Sequence, residues 1–514
     1  MIIVYHHNNS VSRVVGAPDC TLNQQVNSSV TATILCLAKQ YPLDKIVWCC
    51  EKLAPNLNLE KIEALCQHKM MLMSYSINDA IFLQKHIGYI EQSPFIKVNK
   101  KVRYPTWLMS AQVGVVDAAI LNIFADKIKA GSDFEYFLNS AAKLGMPKGL
   151  FCYSEPQLLI SPENSVGQQQ INVYTLFRFV KQHFKKRWVL LLLFNILIYE
   201  KQLKLLPLIS SLFFESRRES FFNFDSVIVQ PNTAIVDSPT LDVIIPTMGR
   251  KAYLYDVLKD LACQTLIPKT VIIVEQNPLE GSSSDLDFLT NEKWPFLIQH
   301  TFTHQIGACN ARNIALNQVT SDWVFLADDD IRINSAFLLE SIKNIDKFGV
   351  KAASLCCLQK NIVSTIKNVF QWGSFGSGCS IVANDILKNC RFNLGYELGY
   401  GEDSDFGMQL RNQGNDILYI PEPSILHLKA PIGGFRSKPV LQWSKDSIQP
   451  KPSPTVMLYL MSYQTKQQIL GYRTVLFFKY YKHQQIRNPF KYYKTFQEQW
   501  NRSLYWADKL DKKS

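Results

Sequence analysis

Three consecutive aspartates, Asp328-Asp329-Asp330, close the apolar run Trp323-Val-Phe-Leu-Ala327. Like charges this close repel unless a cation relieves them. A hard divalent ion takes carboxylate oxygens and can hold phosphate oxygens at the same time. In an extended stretch Asp328 and Asp330 point one way and Asp329 the other; the plainer alternative is a solvated acidic turn before Asn334 and Phe337. A second acidic group, Gly401-Glu402-Asp403-Ser404-Asp405, precedes a helical pattern with Phe406, Met408 and Leu410. A carboxylate there could accept a hydroxyl proton if its pKa is raised, or cap the helix, which is the role expected of Asp405. His427 follows the Pro421-Glu-Pro423 turn; a neutral imidazole suits Mn²⁺ as well as oxygen ligands do, although a lone histidine is as readily structural. Lys429 and Arg436 flank Gly433-Gly434 and could meet a diphosphate through a closing loop. Arg312 and Asn313 open a helix. A guanidinium keeps its charge at any working pH, and a helix N-terminus favours anions; Asn310 stands where a cap would.

These side chains need a sheet to hold them. Leu241-Asp-Val-Ile-Ile245 reads as a buried strand ending at Pro246-Thr-Met-Gly-Arg250, followed by a helix with Leu254, Leu258 and Leu261 and a second strand at Thr270–Val274. That order is a parallel crossover unit. Further strands are expected at Trp323–Ala327 and Ile417–Ile420. Ligands of open sheets bind beyond the carboxyl ends of the strands, where residues 246–250, 275–277 and 328–330 fall. The loop Ser374-Phe-Gly-Ser-Gly-Cys379 does not follow a strand in the Gly-x-Gly-x-x-Gly manner of a dinucleotide site. Gly376 and Gly378 would let backbone approach a sugar or an acceptor, and Trp372 or Phe375 could stack on a sugar or belong to the core.

The run Val243-Ile-Ile-Pro-Thr-x-Gly-Arg250, the segment Gly307-Ala-Cys-x-Ala-Arg-Asn313, the aspartate triplet and Gly401-Glu-Asp-Ser-Asp405 occur in one order. Together, over residues 240–430, they resemble the family 2 glycosyltransferases of the GT-A fold. That resemblance implies an inverting hexosyltransferase-class enzyme that uses a nucleotide-diphosphate sugar with Mn²⁺ or Mg²⁺. It implies that Pro246, Thr247 and Arg250 form a nucleoside-binding loop and that Glu275, where Asp is commoner, meets the base or ribose. Gln276-Asn277 departs from the family's second acidic residue, which leaves the nucleobase open. Arg312 and Asn313 would border the donor with Asp328, Asp329, Lys429 and Arg436. Asp328, Asp330 and His427 would hold the metal; Asp403 would be the general base and Glu402 its orienting neighbour. A metal-dependent nucleotidyltransferase, or a glycan-binding protein without turnover, are the rival readings.

The expected fold is α/β, a GT-A Rossmann-like sheet that is duplicated, with a helical C-terminal region. Leu37-Ala-Lys-Gln…Lys-Ile-Val-Trp48 echoes Leu261-Ala-Cys-Gln…Lys-Thr-Val-Ile272, Asn78-Asp-Ala-Ile81 echoes Asn313-Ile-Ala-Leu316, and Ser132-Asp-Phe134 echoes Ser404-Asp-Phe406. Phe151-Cys-Tyr-Ser-Glu-Pro156 also echoes Tyr419-Ile-Pro-Glu-Pro423. An internal copy follows: a degenerate domain at 1–165, a helical linker at 166–239, the catalytic domain at 240–436 and a basic aromatic tail at 437–514. In this register Asp328–Asp330 faces Ser93-Pro-Phe95, which offers no metal ligand.

With 514 residues, 47% of them hydrophobic, and a formal charge of +12, the chain is globular and basic rather than disordered. Residues 436–514 hold 15 Lys or Arg against 4 Asp or Glu, interleaved with Tyr480, Tyr492, Trp500 and Trp506. Such helices suit an anionic membrane surface, or pack inward with only their outer faces basic. Nucleic acid would feel the same charge, but no recognition motif is present. The twelve cysteines form neither a disulfide ladder nor a four-cysteine zinc site, and no secretory leader precedes the first strand pattern. The expectation is a cytoplasmic protein, peripheral on the inner face of a membrane. It would act in polysaccharide biosynthesis on a glycan or lipid-linked acceptor. Trp188–Tyr199 is apolar but shorter than the roughly 20 residues a span needs, so a buried or interface-facing helix is expected there.

Overall fold

The computed structural model describes residues 1–17, 27–77, 82–125, 127–128, 133–161, 171–220, 222–230, 239–431 and 440–512. Its contacts divide the chain into two compact units. The first is Met1–Asn232 with Thr465–Leu476, and the second Thr233–Gln464 with Phe477–Ser514.

The first unit is built on β1 (Ile2–His7), β2 (Ser10–Val15), β3 (Lys45–Cys50), β4 (Met71–Tyr75), β5 (Tyr104–Pro105), β6 (Val113–Asp117) and β7 (Phe151–Ser154), in the order β2-β1-β3-β6-β4-β7-β5. The second is built on β8 (Leu241–Thr247), β9 (Thr270–Gln276), β10 (Leu297–Thr303), β11 (Trp323–Ala327), β12 (Ile331–Arg332), β13 (Ala352–Gln359), β14 (Phe370–Gln371), β15 (Cys379–Ala383) and β16 (Leu418–His427). Its order is β10-β9-β8-β11-β15-β13-β16-β12, with β14 also on β16.

Strands β8, β9 and β11 are buried almost end to end, as expected for parallel strands covered on both faces. The Lys251–Ala262 helix makes the crossover from β8 to β9 and buries Leu254, Val257, Leu258 and Leu261 at helical spacing. Asp242 inside β8 is buried but fully engaged. It accepts from the backbone of Thr320 and Ser321 and from the Ser321 hydroxyl, which steers the chain into β11 without leaving a bare buried charge. The Glu402–Asn412 helix buries Phe406, Met408, Leu410 and Arg411. The Arg411 guanidinium donates to the carbonyls of Trp372 and Ser374, so the helix end clamps the loop before β15.

The two sheets share a pattern. Along β1-β3-β6-β4-β7 the neighbours run parallel, antiparallel, antiparallel and parallel, and β8-β11-β15-β13-β16 repeats both the directions and the chain order. Short β5 and β14 lie antiparallel on the last strand of each set. Strands β9 and β10 extend the second sheet beyond β8, where the first sheet has only the β2 hairpin. The expected register is therefore corrected. Strand position sets Lys45–Cys50 against β11, not against the 270–274 strand, and Glu51-Lys52-Leu53 follows it where the aspartates follow β11. Two of the sequence echoes, at 78–81 and at Ser132, lie outside the described residues.

Residues 173–212, within the expected linker, form three helices of the first unit. The Lys186–Glu200 helix is not enclosed: Leu190, Phe194, Leu197 and Ile198 are exposed. Among the described residues no helix is long and apolar enough to cross a membrane. The tail's Pro489–Asp511 helix buries Tyr492, Phe496 and Trp500 and exposes Phe490, Tyr493 and Tyr505.

Candidate active site

The triplet after β11 alternates as an extended stretch should. Asp329 is turned toward the end of β8, accepting from the Thr247 hydroxyl at 2.7 Å and from Arg250 Nη1 at 2.6 Å. Burial pushes its pKa up to about 6 against the pull of Arg250 and Thr247. Asp328 and Asp330 point the other way. Asp330 is 2% exposed, and its Oδ2 accepts from the Ala430 amide at 2.8 Å. Its Oδ1 stands 3.2 Å from His427 Nε2. The antiparallel pairing of β12 with β16, Ile331 opposite His427, brings the histidine there. Burial alone would raise the Asp330 pKa, but the bonds from His427 and Ala430, with Arg250 nearby, take it down to about 2. The hydrogen bond to Asp330 raises His427 in turn, against burial. Ligand atoms of Asp328, Asp330 and His427 all lie within 4.8 Å of one another.

Asp328 is 37% exposed, and Arg312 Nη2 donates to it at 3.1 Å. Gly378 lies against this carboxylate, and a Cβ there would come within 2.1 Å of Asp328 Oδ2. The neighbouring amide, Ser377 N–H, donates to Asp403 Oδ1 at 3.1 Å. Consecutive residues of one loop thus touch Asp328 on one side and Asp403 on the other. The two acidic motifs meet at a single rim. Burial raises Asp403, opposed chiefly by Arg312, and burial with the Asp403 charge raises Glu402 to about 7.

The Ala308–Leu316 helix corrects one expectation. Its N-terminus is already occupied by the Glu397 carboxylate, which accepts from the amides of Cys309 at 3.2 Å and Asn310 at 2.9 Å. Asn310 does not cap it; the N-cap is Gly307 at φ +143°, and the Asn310 side-chain nitrogen is buried without a partner. A Cβ at Gly307 would lie 2.2 Å from the Glu397 carboxyl carbon. Asn313 is tied both ways to the Phe392 backbone, which makes it a strut of the site. Arg312 carries a buried Nε without a partner and lies over the Phe392 ring.

At the nucleoside end Pro246 is half-buried on β8 and Glu275 is buried, its Oε2 2.9 Å from His300 Nε2. Gln276 accepts from the Gly307 amide at 2.6 Å, linking β9 to the helix entry. Lys429 is exposed at φ +55°. Arg436 and Gly433-Gly434 lie outside the described residues. Asp405 does not cap its helix either: it is buried and accepts from Tyr463 and Gln409. Phe375 is core, packed on Phe406, and Trp372 meets Tyr419 edge-on.

The model of glycosyl transferase family 2 matches residues 242–383. This chain carries a family 2 glycosyl transferase domain. The domain's matched part ends with β15, so Asp403 and His427 lie beyond it; the Ser377–Asp403 bond and the β12–β16 pairing join them to it. No curated protein matches the chain. Among solved structures, Staphylococcus aureus TarS is 20% identical over 37% of this chain and 37% of its own, with a TM-score of 0.31. TarS 1–349 in complex with UDP-GlcNAc is 18% identical over 47% of this chain and 73% of its own, at 0.34. GalNAc-T7 with UDP, GalNAc and Mn²⁺ is 11% identical over 51% and 55%, at 0.35. This chain thus spans 37% of the length of TarS, and the family match, not these partial overlaps, decides the assignment.

Glu397, Ser377 and Ala430 are the site residues that motif reading passes over. Gly307 and Gly378 were the available signals for the first two, since a glycine beside a functional element marks a close approach. Nothing in the sequence announces a backbone amide such as that of Ala430.

Proposed function

We propose that the glycosyltransferase domain transfers a sugar from a nucleotide-diphosphate sugar to a hydroxyl of a glycan or lipid-linked acceptor, with inversion at the anomeric carbon. The observation that carries this reading is the meeting of Asp328, Asp330 and His427 within 4.8 Å, with Asp403 bound to the same loop. Two carboxylates and an imidazole fit Mn²⁺ or Mg²⁺, and Asp330, drawn down to about 2, is ionised at any working pH. A bound ion would supply charge neutralisation to the departing diphosphate.

The chain's own groups supply the rest. Arg312 and Lys429 are assigned to the phosphates, and Arg436, which lies outside the described residues, is given the same role from its place in the sequence. Pro246, Thr247, Arg250, Glu275 and Asn313 shape the nucleoside side, with Arg250 and Thr247 acting through Asp329. Asp403 takes the acceptor proton as the hydroxyl oxygen attacks, and Glu402 orients that hydroxyl. A raised carboxylate pKa suits such a base. The test is a donor screen over UDP-, GDP-, CDP- and dTDP-sugars with Mn²⁺, assaying free nucleoside diphosphate. Release of pyrophosphate would support a nucleotidyltransferase. Glycan binding without turnover of any donor would support a non-catalytic protein.

An anionic bilayer surface completes this reading, docked through the first unit. The Lys186–Glu200 helix exposes Leu190, Phe194 and Leu197 on one face, and the Leu205–Leu212 helix exposes Leu206, Ile209 and Leu212 on one of its own. Lys185, Lys186, Arg187, Lys201 and Lys204 flank them. Glu200, the acidic residue of this stretch, is bonded to His86 and Tyr89. Apolar stripes rimmed by cations match an anionic interface. Co-sedimentation with phosphatidylcholine vesicles, with and without phosphatidylglycerol, tests it. Binding should need the anionic lipid and vanish in Leu206→Glu/Ile209→Glu. Equal recovery of both proteins in the supernatant, or a dimer that the double variant splits, would overturn it.

A further inference from the structure

Two thiols that the transfer chemistry does not use face each other beside the metal-binding carboxylates. Strands β13 and β15 are antiparallel neighbours, and their ladder ends with Ser354 opposite Ser380, whose hydroxyls are 2.6 Å apart. Side chains alternate along each strand. Cys379 on β15 and Cys357 on β13 therefore lie on the other face of the sheet from these serines, one diagonal step apart and past the end of the ladder. There the two thiols are hydrogen-bonded to one another. The neighbouring pairings put them at the site. Cys379 is opposite Ala327, the residue before Asp328, and Cys357 is opposite Ile425, two residues before His427 on the same strand. Cys356 points to the opposite face, where it meets Tyr419. Cys357 is exposed and Cys379 half-buried.

The pair is close enough to react, but a bridge needs the strands to approach. Diagonal neighbours on adjacent strands stand about 7–8 Å apart, whereas a disulfide needs its Cα atoms at about 4.4–6.8 Å. Cys357 is held within its strand by the pairing with β16 on both sides of it, while Cys379 is the terminal residue of β15. The movement therefore falls on Cys379 and on the loop from Ser374 that it ends. That loop has little slack. Gly376 N–H donates to the Ser354 hydroxyl at 3.2 Å, Ser377 N–H donates to Asp403 at 3.1 Å, and a Cβ on Gly378 would meet Asp328 at 2.1 Å.

We propose that Cys357 and Cys379 are an oxidisable dithiol, bridged by a hydroperoxide, and that the bridge pulls the 374–379 loop off Asp328 and Asp403. The exposed Cys357 sulfur attacks a peroxide oxygen. An S–O bond forms, the O–O bond breaks, and the thiol proton leaves with the released alcohol, or with water when the oxidant is hydrogen peroxide. The Cys379 sulfur then attacks the sulfur of this sulfenic acid. The S–S bond forms, the S–O bond breaks, and the hydroxyl leaves as water with the Cys379 proton. The dithiol gives up the electron pair that the hydroperoxide takes, and a thiol reductant returns it. The bridge rests on strand pairing alone; only its effect on donor binding rests on the proposed function.

The test treats the full chain with hydrogen peroxide, digests it unreduced and reads the peptides by mass spectrometry. A bridge should join the Cys357 and Cys379 peptides, persist in Cys356→Ser, disappear in Cys357→Ser and open with dithiothreitol. Hydrogen exchange of the 374–379 amides should rise by roughly tenfold on bridging, the scale of one lost hydrogen bond, and stay unchanged in peroxide-treated Cys357→Ser. Thermal melts confirm that each variant folds; if Cys357→Ser does not, Cys379→Ser replaces it. Mn²⁺-dependent donor binding should weaken by at least as much in the bridged protein. Absence of donor binding in the reduced protein would count against the proposed function and leave the bridge standing. Oxidation of Cys357 without a bridge to Cys379, or a bridge that leaves the loop's exchange unchanged, overturns the proposal.

Discussion

Replacing Asp330 by Asn keeps the shape of the side chain and removes its charge. Asp330 is buried, with partners at 3.2 Å (His427), 2.8 Å (Ala430 amide) and 3.4 Å (Arg250). Its pKa is near 2 against an ordinary 3.8. At about 1.4 kcal/mol for each tenfold change in acidity, holding the carboxyl down from 3.8 to about 2 makes the charged form worth roughly 2–3 kcal/mol to the folded second unit. The sign follows from the depressed value: this stability is fully present above pH 4 and is lost as pH falls through about 2. Asp330→Asn should therefore destabilise the second unit by roughly 2–3 kcal/mol at pH 7 and by almost nothing near pH 2, if the chain still folds there. His427, now facing an amide, should titrate lower than in the wild type, because the bond that raises it is gone. Loss of a charged ligand should weaken Mn²⁺ by roughly a hundredfold or more, since even outer partners of a metal site are worth 10–100-fold. Urea unfolding, histidine NMR titration and Mn²⁺ calorimetry read the three effects. Unchanged Mn²⁺ affinity, in a variant whose His427 has shifted, would refute the assignment of Asp330 to the metal.

Other outcomes follow from the same geometry. Asp403→Asn should lower kcat by about 10²–10⁴-fold while Mn²⁺-dependent donor binding persists; steady-state kinetics beside donor calorimetry separate the two. Activity should rise with pH through about 7 as the Glu402–Asp403 pair loses its last proton, and Glu402→Gln should move that limb to lower pH; a pH–rate profile unmoved by the substitution would exclude the coupling. Gly378→Ala puts a methyl where Asp328 now lies, so metal-dependent donor binding should fail in a protein with a near-native melting temperature. Glu397→Ala uncovers the amides of Cys309 and Asn310 and should cost about 1 kcal/mol, as loss of a helix cap does; a rise in donor KM would report the displacement of Arg312.

Much of the catalytic sheet was legible because its signals are local. The apolar runs at 241–245, 270–274 and 323–327 became β8, β9 and β11 as buried parallel strands. The motifs at their carboxyl ends fell on one side of the sheet. The residue echoes suggested a duplication with 37–48 set against 261–272, whereas in strand order β3 stands in the position of β11. Strand order rests on hydrogen-bonding partners, which residue identity does not report. The aromatic tail left two readings open for a related reason. Its Pro489–Asp511 helix buries Tyr492, Phe496 and Trp500 and exposes Phe490, Tyr493 and Tyr505, and composition cannot tell which face a helix turns to its unit.

By itself the sequence determined which side chains could do chemistry: a carboxylate triplet after an apolar strand, an acidic pair at a helix start, and a family 2 signature of which both are part. Periodicity and charge are properties of neighbours, so they can be read without a fold. Only tertiary structure decided that Asp330 meets His427 and the Ala430 amide, some 100 residues away. It likewise turned Asp329 inward and gave the helix N-terminus to Glu397. Each of these rests on strand pairing or on a backbone amide, and neither leaves a mark in the order of residues.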